Sequence, residues 1–275
     1  MPKQAQERIV VSVDWDFFFN EDPMWDWNHK EAKFFLEAIW YARFESFALS
    51  PRLGERDLEQ FYKPNPLYKS FWGKLQELGF DFSNAWLCIV GDSHIGAWSV
   101  LSGLPVAHVY NFDFHHDVAY YDLKDKVECG NWLGQLLAKK KRLTATVVYP
   151  TAKRRDEEFH LPESVDALVG DRVRATAFRS LEYTPRKVTY LYICRSGCWT
   201  PPWADKQYVE FVQGVSNGSK PMWFADLLSG KDKSKLDLAN PMILRNWDRA
   251  EALRQTEEFC KHIALLKEAN AAQAQ

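Results

Sequence analysis

The chain has 275 residues, of which 46% are hydrophobic and 26% charged, with a formal net charge of −2. That length sustains one large domain with a buried core and does not demand two. The balanced charge excludes a general affinity for nucleic acid or anionic membrane, which needs a basic surface.

In chain order, residues 9–13 form an apolar run read as a buried strand, and residues 30–47 carry helical periodicity. Residues 49–65, punctuated by Pro51 and Pro64 and followed by Pro66, are expected to be a loop. Residues 67–78 read as a helix, with Gly79 just past its end. Strands are expected at residues 85–90, 106–112, 143–149 and 188–194. Helices are expected at residues 95–102, 131–140, 205–212 and 247–266. The charged segment 151–162 reads as a surface excursion. The basic run Lys139-Lys140-Lys141-Arg142 reads as the solvated end of a helix. Strands alternating with helices predict the α/β class. Continuously apolar strands predict a sheet covered on both faces, hence a single three-layer α/β/α domain with a mostly parallel sheet. That domain spans residues 1–268, and the Ala- and Gln-rich residues 269–275 are expected to form a disordered tail.

The chain holds 12 Trp, 11 Tyr and 18 Phe, which fits either an aromatic core or an aromatic-lined cleft. Its five cysteines are odd in number, so a disulfide framework is not expected. Cys194 and Cys198 have no second Cys pair nearby, and a structural zinc site has little support. Residues 1–8 are polar without a signal core, and no apolar run approaches the roughly 18 residues of a membrane span. A cytoplasmic protein without a membrane partner is therefore expected.

Chemistry concentrates where three strands end. The first ends in Asp14-Trp15-Asp16, the second in Asp92-Ser93-His94, and the third in Asp113-Phe114-His115-His116-Asp117. In parallel sheets ligands bind at the carboxyl ends of strands. Alternate residues of an extended chain point to one side, so D-x-D and D-x-H-x-D each present their ligand types together. Buried carboxylates without a partner cost several kcal/mol each. Asp14, Asp16, His94, Asp113, His115 and Asp117 therefore read as ligands for two divalent cations sharing bridging carboxylates, with manganese favoured over iron, cobalt, nickel or zinc. Such a pair activates water, which points to hydrolysis without a protein nucleophile.

These motifs resemble those of the ureohydrolase superfamily, which includes arginase, agmatinase and, more distantly, the metal-dependent deacetylases. Asp113-Phe114-His115-His116-Asp117 resembles its D-x-H-x-D motif, Ser12-Val13-Asp14-Trp15-Asp16 its S-x-D-x-D strand, Gly91-Asp92-Ser93-His94 its His turn with one extra residue, and Gly130-Asn131-Trp132-Leu133-Gly134-Gln135 its G-N-x-H-G-Q segment. The resemblance covers mainly residues 8–20 and 86–137. It implies an arginase-like fold with permuted strand order, because D-x-D stands first in this chain and last in arginases. It also implies that Asp14 and Asp113 bridge two manganese ions, with His94 and Asp117 completing one and His115 and Asp16 the other. The Asp14-Trp15-Asp16-Phe17-Phe18 stretch is closest to an atypical arginase-like group that includes peptide arginases. Those convert arginine within a ribosomally made precursor peptide to ornithine and urea.

Leu133 stands where arginases have a proton-shuttling His, so His116 or His29 is expected to take that role, with Glu128 a further acid–base candidate. Asp26, Glu128 and Asp92 are alternative carboxylates for a substrate guanidinium, with Asn131 beside them. Asp92 is also a possible substitute for His94 as a ligand. Arg195, Ser196 and Trp199 either line the same cleft or belong to a structured turn ahead of Pro201 and Pro202. Two other readings remain at this level: an amide hydrolase of the deacetylase kind, and a non-catalytic binding protein with a degenerate metal site.

Overall fold

The computed structural model describes residues 8–19, 33–48, 57–83, 85, 87–120, 123, 126–215, 222–225, 233–235 and 245–273. The first strand, β1 (Ile9–Asp14), is buried along its length and runs into a 3-10 turn over Trp15–Phe18. Helices α1 (Lys33–Ala48), α2 (Leu58–Phe61) and α3 (Phe71–Glu77) follow. Then come β2 (Phe80–Asp81), β3 (Leu87–Gly91), α4 (Ile95–Leu101), β4 (His108–Phe112), α5 (Trp132–Lys139) and β5 (Thr144–Tyr149). The second half holds α6 (Ala152–Glu158), α7 (Glu163–Val169), β6 (Val173–Ala177), β7 (Arg186–Cys194), α8 (Asp205–Val215), β8 (Met222–Ala225), β9 (Lys233–Lys235) and α9 (Arg249–Gln273).

The strands lie in the order β6-β5-β4-β1-β7-β3-β8-β9, with β2 beside the start of β7. Among the described residues every strand pairing is parallel except β8 with β9. The expected α/β class and mostly parallel sheet are therefore what the chain adopts. From β1 the chain goes to β3 on one side, then to β4, β5 and β6 on the other, and returns as β7 between β1 and β3. The winding thus reverses at β1, the kind of switch point where a crevice opens at the carboxyl ends of strands.

Two apolar layers cover the sheet. One packs Val11, Val13, Tyr110, Phe112, Leu191 and Ile193 under α1, α3 and α8. The other packs Val10, Val109, Tyr190, Tyr192 and Cys194 under α4, α5 and α7. The alternation along each strand decides the orientation of the site. Ser12 and Asp14 continue the Val10 side of β1, Asn111 and Asp113 the Val109 side of β4, and Cys194 the Tyr192 side of β7.

Much of the aromatic content is core. The Phe71 ring meets Phe17, Phe18, Phe112 and Phe178 with centroids 5.2–5.7 Å apart, edge-on or stacked. Gly79 adopts a φ of +90°, and a Cβ there would sit 2.4 Å from the Thr184 carbonyl oxygen, so the turn after α3 requires glycine.

Several expectations need correction. The segment expected to be a loop contains α2, because the Asp57 side chain accepts the Glu59 N–H and caps it; residues 49–56 lie outside the described residues. The charged excursion after β5 does lie at the surface, and its helix α6, capped by Thr151 on the Arg154 N–H, buries no residue. The edge strand β6 was not anticipated, because its sequence VRATA has no apolar run to announce it. The last helix runs past the expected end at Leu266 to Gln273. Among the described residues no helix is long and apolar enough to cross a membrane.

Candidate metal centre

All six residues expected as ligands converge at the carboxyl ends of β1 and β4. Around His94 Nδ1 stand Asp117 Oδ2 at 2.8 Å, Asp14 Oδ2 at 3.2 Å and Asp113 Oδ2 at 3.4 Å. Around His115 Nδ1 stand Asp16 Oδ2 at 2.9 Å and Asp113 Oδ1 at 3.8 Å. Asp113 therefore faces both imidazoles, one oxygen to each, whereas Asp14 stands with the His94 group. The extra residue in the Gly91–His94 turn does not displace His94. Asp92 instead holds the buried guanidinium of Arg195.

The groups fit a cation. Three carboxylates aim at one imidazole nitrogen, which can donate a single proton to one of them. Burial pushes the Asp14 and Asp113 carboxyls well above the usual range, reinforced for Asp14 by the charges of Asp16 and Asp113. For Asp113 the repulsion comes first from Asp117 and then from Asp16. Burial also lifts Asp117 to about 7. Asp16 is different: burial pushes it up, but the hydrogen bond and charge of His115 prevail and hold it low. Burial favours a neutral His115, yet its bond to Asp16 raises it to about 9. Burial keeps His94 below its ordinary value, hence neutral and able to ligate. A divalent ion among these oxygens reverses the repulsion that lifts Asp14 and Asp113. Among the described residues, three sets have ligand atoms within 4.8 Å of one another: Asp14, His94 and Cys194; Asp16, Asp113 and His115; and His94, Asp113 and Asp117.

A second layer of donors fixes these side chains. Ser196 Oγ donates to Asp14 Oδ2, and the Asp16 N–H donates to Asp14 Oδ1 at 3.0 Å. Asn111 Nδ2 donates to Asp113 Oδ2 at 2.9 Å, and Trp132 Nε1 to Asp117 Oδ2 at 2.8 Å. The Phe114 N–H reaches Asp16 Oδ1 at 3.2 Å, and Ser12 Oγ lies 3.3 Å from His94 Nε2. Such outer contacts orient ligands and set their basicity. Two residues here hold a left-handed backbone without being glycine, Asp117 at φ 53° and Ser196 at φ 49°. That conformation is costly and clusters at functional sites. Trp40 and Arg245 donate to the Gly197 carbonyl, and Arg43 to that of Cys198, which clamps the loop carrying Ser196.

The remaining candidates divide. Ser196 belongs to the site and Trp199 lies against it, its ring 4.9 Å from that of His115. Arg195 turns away to Asp92 and Asp205. Asn131 spends its amide on its own loop, accepting the Glu128 N–H and donating to the Lys126 carbonyl. Glu128 is exposed on that loop. Asp92 is occupied by Arg195. Asp26 and His29 lie outside the described residues. His116 stacks flat on Tyr120 at 4.1 Å, and its Nδ1 accepts the Val118 N–H. Burial, aided by the His115 and Arg154 charges, pushes it down to about 3. It is therefore held neutral as an N–H donor, unsuited to exchange protons near neutral pH. Leu133 is fully buried in the core and its N–H holds the Asp117 carbonyl.

The contributors that sequence reasoning missed are Ser12, Asn111, Trp132 and Cys194. Ser12 and Asn111 are register partners one step below the ligands, and Cys194 is the register partner of Asp14. Only the strand pairing reveals either relation.

The centre opens on one side. The His115 side chain is 15% exposed and that of His94 only 1%. Tyr120, 43% exposed, and Trp199 flank the open side. Gly130 leaves room for Tyr120, whose ring a Cβ at position 130 would meet at 3.1 Å.

Compared with known proteins, the chain matches no family model, no curated protein and no solved structure.

Proposed function

We propose that the protein is a dinuclear-metal hydrolase of a guanidinium group, converting arginine within a ribosomally made precursor peptide to ornithine and urea. The observation that carries this reading is Asp113, whose two oxygens face two separate imidazole-centred groups of ligands. A carboxylate in that position suits a pair of divalent ions better than one. The likeness of the motifs to ureohydrolases supplies the manganese and the substrate class.

His94, Asp14, Asp113 and Asp117 would hold the inner ion, and Asp16, His115 and Asp113 the outer one. Bound there, the ions supply a water made acidic enough to react at neutral pH. The chain's own residues do the rest. Ser196, Asn111 and Trp132 keep the carboxylates aimed inward. Tyr120 and Trp199 stand beside His115 at the mouth, and aromatic rings there suit a planar cation. The excess of carboxylates behind them attracts positive charge and repels anionic substrates. Urea is small and leaves by the same opening, while the ornithine side chain stays attached to its peptide.

Incubating the manganese-loaded protein with arginine-containing peptides and reading the products by mass spectrometry tests the proposal. The expected product carries ornithine in place of arginine, with urea released. Intact arginine in every peptide, alongside full metal loading, would overturn it.

A further inference from the structure

Cys194 sits at the end of β7, directly beside Asp14 in the strand register and beside Gly91 on its other flank. It is completely buried. Alternation along β7 puts it on the same side as Tyr192, whose ring lies 6.1 Å from that of His94. Its sulfur, a carboxylate oxygen of Asp14 and a ring nitrogen of His94 lie within 4.8 Å of one another. The second group, Asp16, Asp113 and His115, contains oxygen and nitrogen donors alone. The two halves of the centre are therefore chemically unequal.

We propose that Cys194 is a ligand of the inner ion, and that the centre is heterometallic: a borderline-soft ion such as zinc in the Asp14–His94–Cys194 half, and a harder ion such as manganese in the Asp16–Asp113–His115 half. Thiolate and imidazole together favour zinc, copper or iron, whereas carboxylate-rich sets suit manganese. Burial acts in the same direction. The inner half is closed, with Asp14, His94 and Cys194 each 2% exposed or less, as structural zinc sites are. The outer half, with His115 partly exposed, keeps room for water and substrate. The thiol proton leaves to solvent as the sulfur takes the ion, and no oxidant or reductant is involved. The inference rests on the metal centre and not on the guanidinium substrate, so the two can fail separately.

The test uses the full chain with Cys129 and Cys260, the two cysteines that are not buried, changed to serine to remove adventitious thiols. Cobalt is loaded into the metal-free protein and the near-ultraviolet thiolate-to-cobalt charge-transfer band is recorded. The band is expected in this background and in its Cys198→Ser derivative, and is expected to vanish in Cys194→Ser and His94→Ala while surviving His115→Ala. A band that persists in Cys194→Ser, or none at all in the loaded background, would overturn the proposal. Should Cys194→Ser fail to fold, X-ray absorption of the unmodified zinc-loaded protein decides instead. A sulfur scatterer at about 2.3 Å is expected, and a shell of nitrogen and oxygen alone overturns it. Arginine-peptide turnover, measured in parallel, reports on the hydrolase reading independently.

Discussion

Ser196 Oγ donates a hydrogen bond to Asp14 Oδ2, joining the loop after β7 to the end of β1 across 182 residues of chain. Ser196 holds a left-handed backbone to do so, and its loop is clamped by Trp40, Arg43 and Arg245. Ser196→Ala frees Asp14 to rotate. Metal affinity is expected to fall about 10- to 100-fold, the usual cost of losing an outer-sphere partner. Isothermal titration of the metal-free protein measures it, and an unchanged affinity would refute the positioning role.

Asp113 faces both imidazoles, so its loss should differ in kind from that of Asp16. Asp113→Asn is expected to abolish binding of both ions, while Asp16→Asn removes the outer one alone. Elemental analysis after dialysis gives the stoichiometry. Equal losses in the two variants would contradict a shared carboxylate.

The pH dependence of metal binding follows from the raised groups. In the metal-free fold Asp117 stands at about 7 and His115 at about 9, both above their ordinary values. The folded state binds the extra protons, so these groups contribute stability at low pH that is lost as pH rises through about 7 and about 9. An ion requires both groups deprotonated. The rise in melting temperature on adding metal should therefore grow with pH across that window. A metal-induced shift independent of pH between 6 and 9 would count against these two residues as ligands.

Asp205 lies between two buried guanidinium groups, with Oδ1 2.6 Å from Arg245 Nη2 and Oδ2 3.4 Å from Arg195 Nη1. Asp205→Ala leaves Arg245 without its carboxylate inside the protein. The expected destabilisation is about 3–5 kcal/mol, read from urea unfolding of the metal-free chain. A loss below about 1 kcal/mol, the ordinary value for a surface pair, would show that water reaches this network.

The rim offers a test of substrate recognition. Trp199→Ala and Tyr120→Ala each remove a ring face worth about 1 kcal/mol to a cation. A several-fold rise in KM for arginine peptides is expected with kcat little changed. A fall in kcat alone would assign these rings to another task.

The ligand motifs were legible because each is local. D-x-D and D-x-H-x-D follow apolar runs, and a period of two sends their side chains to one side whatever the rest of the chain does. Locality says less about Asp92, Glu128 and Asn131, whose surroundings come from the fold: Arg195 pairs with the first, the second is exposed, and the third bonds within its own loop. What a carboxylate binds depends on what folds against it, and a motif does not record that. The strand β6 was missed for a similar reason, since an edge strand needs no apolar run.

The amino-acid sequence by itself determined the α/β class, the strands that end in ligands and the chemical types of six of those ligands. The tertiary structure decided how the ligands divide. Inserting β7 between β1 and β3 puts Cys194 and Ser196 beside Asp14, and pairing β1 with β4 sets Asp113 between His94 and His115. Strand order follows from how the whole sheet buries its two faces, a global balance that no short stretch of residues contains.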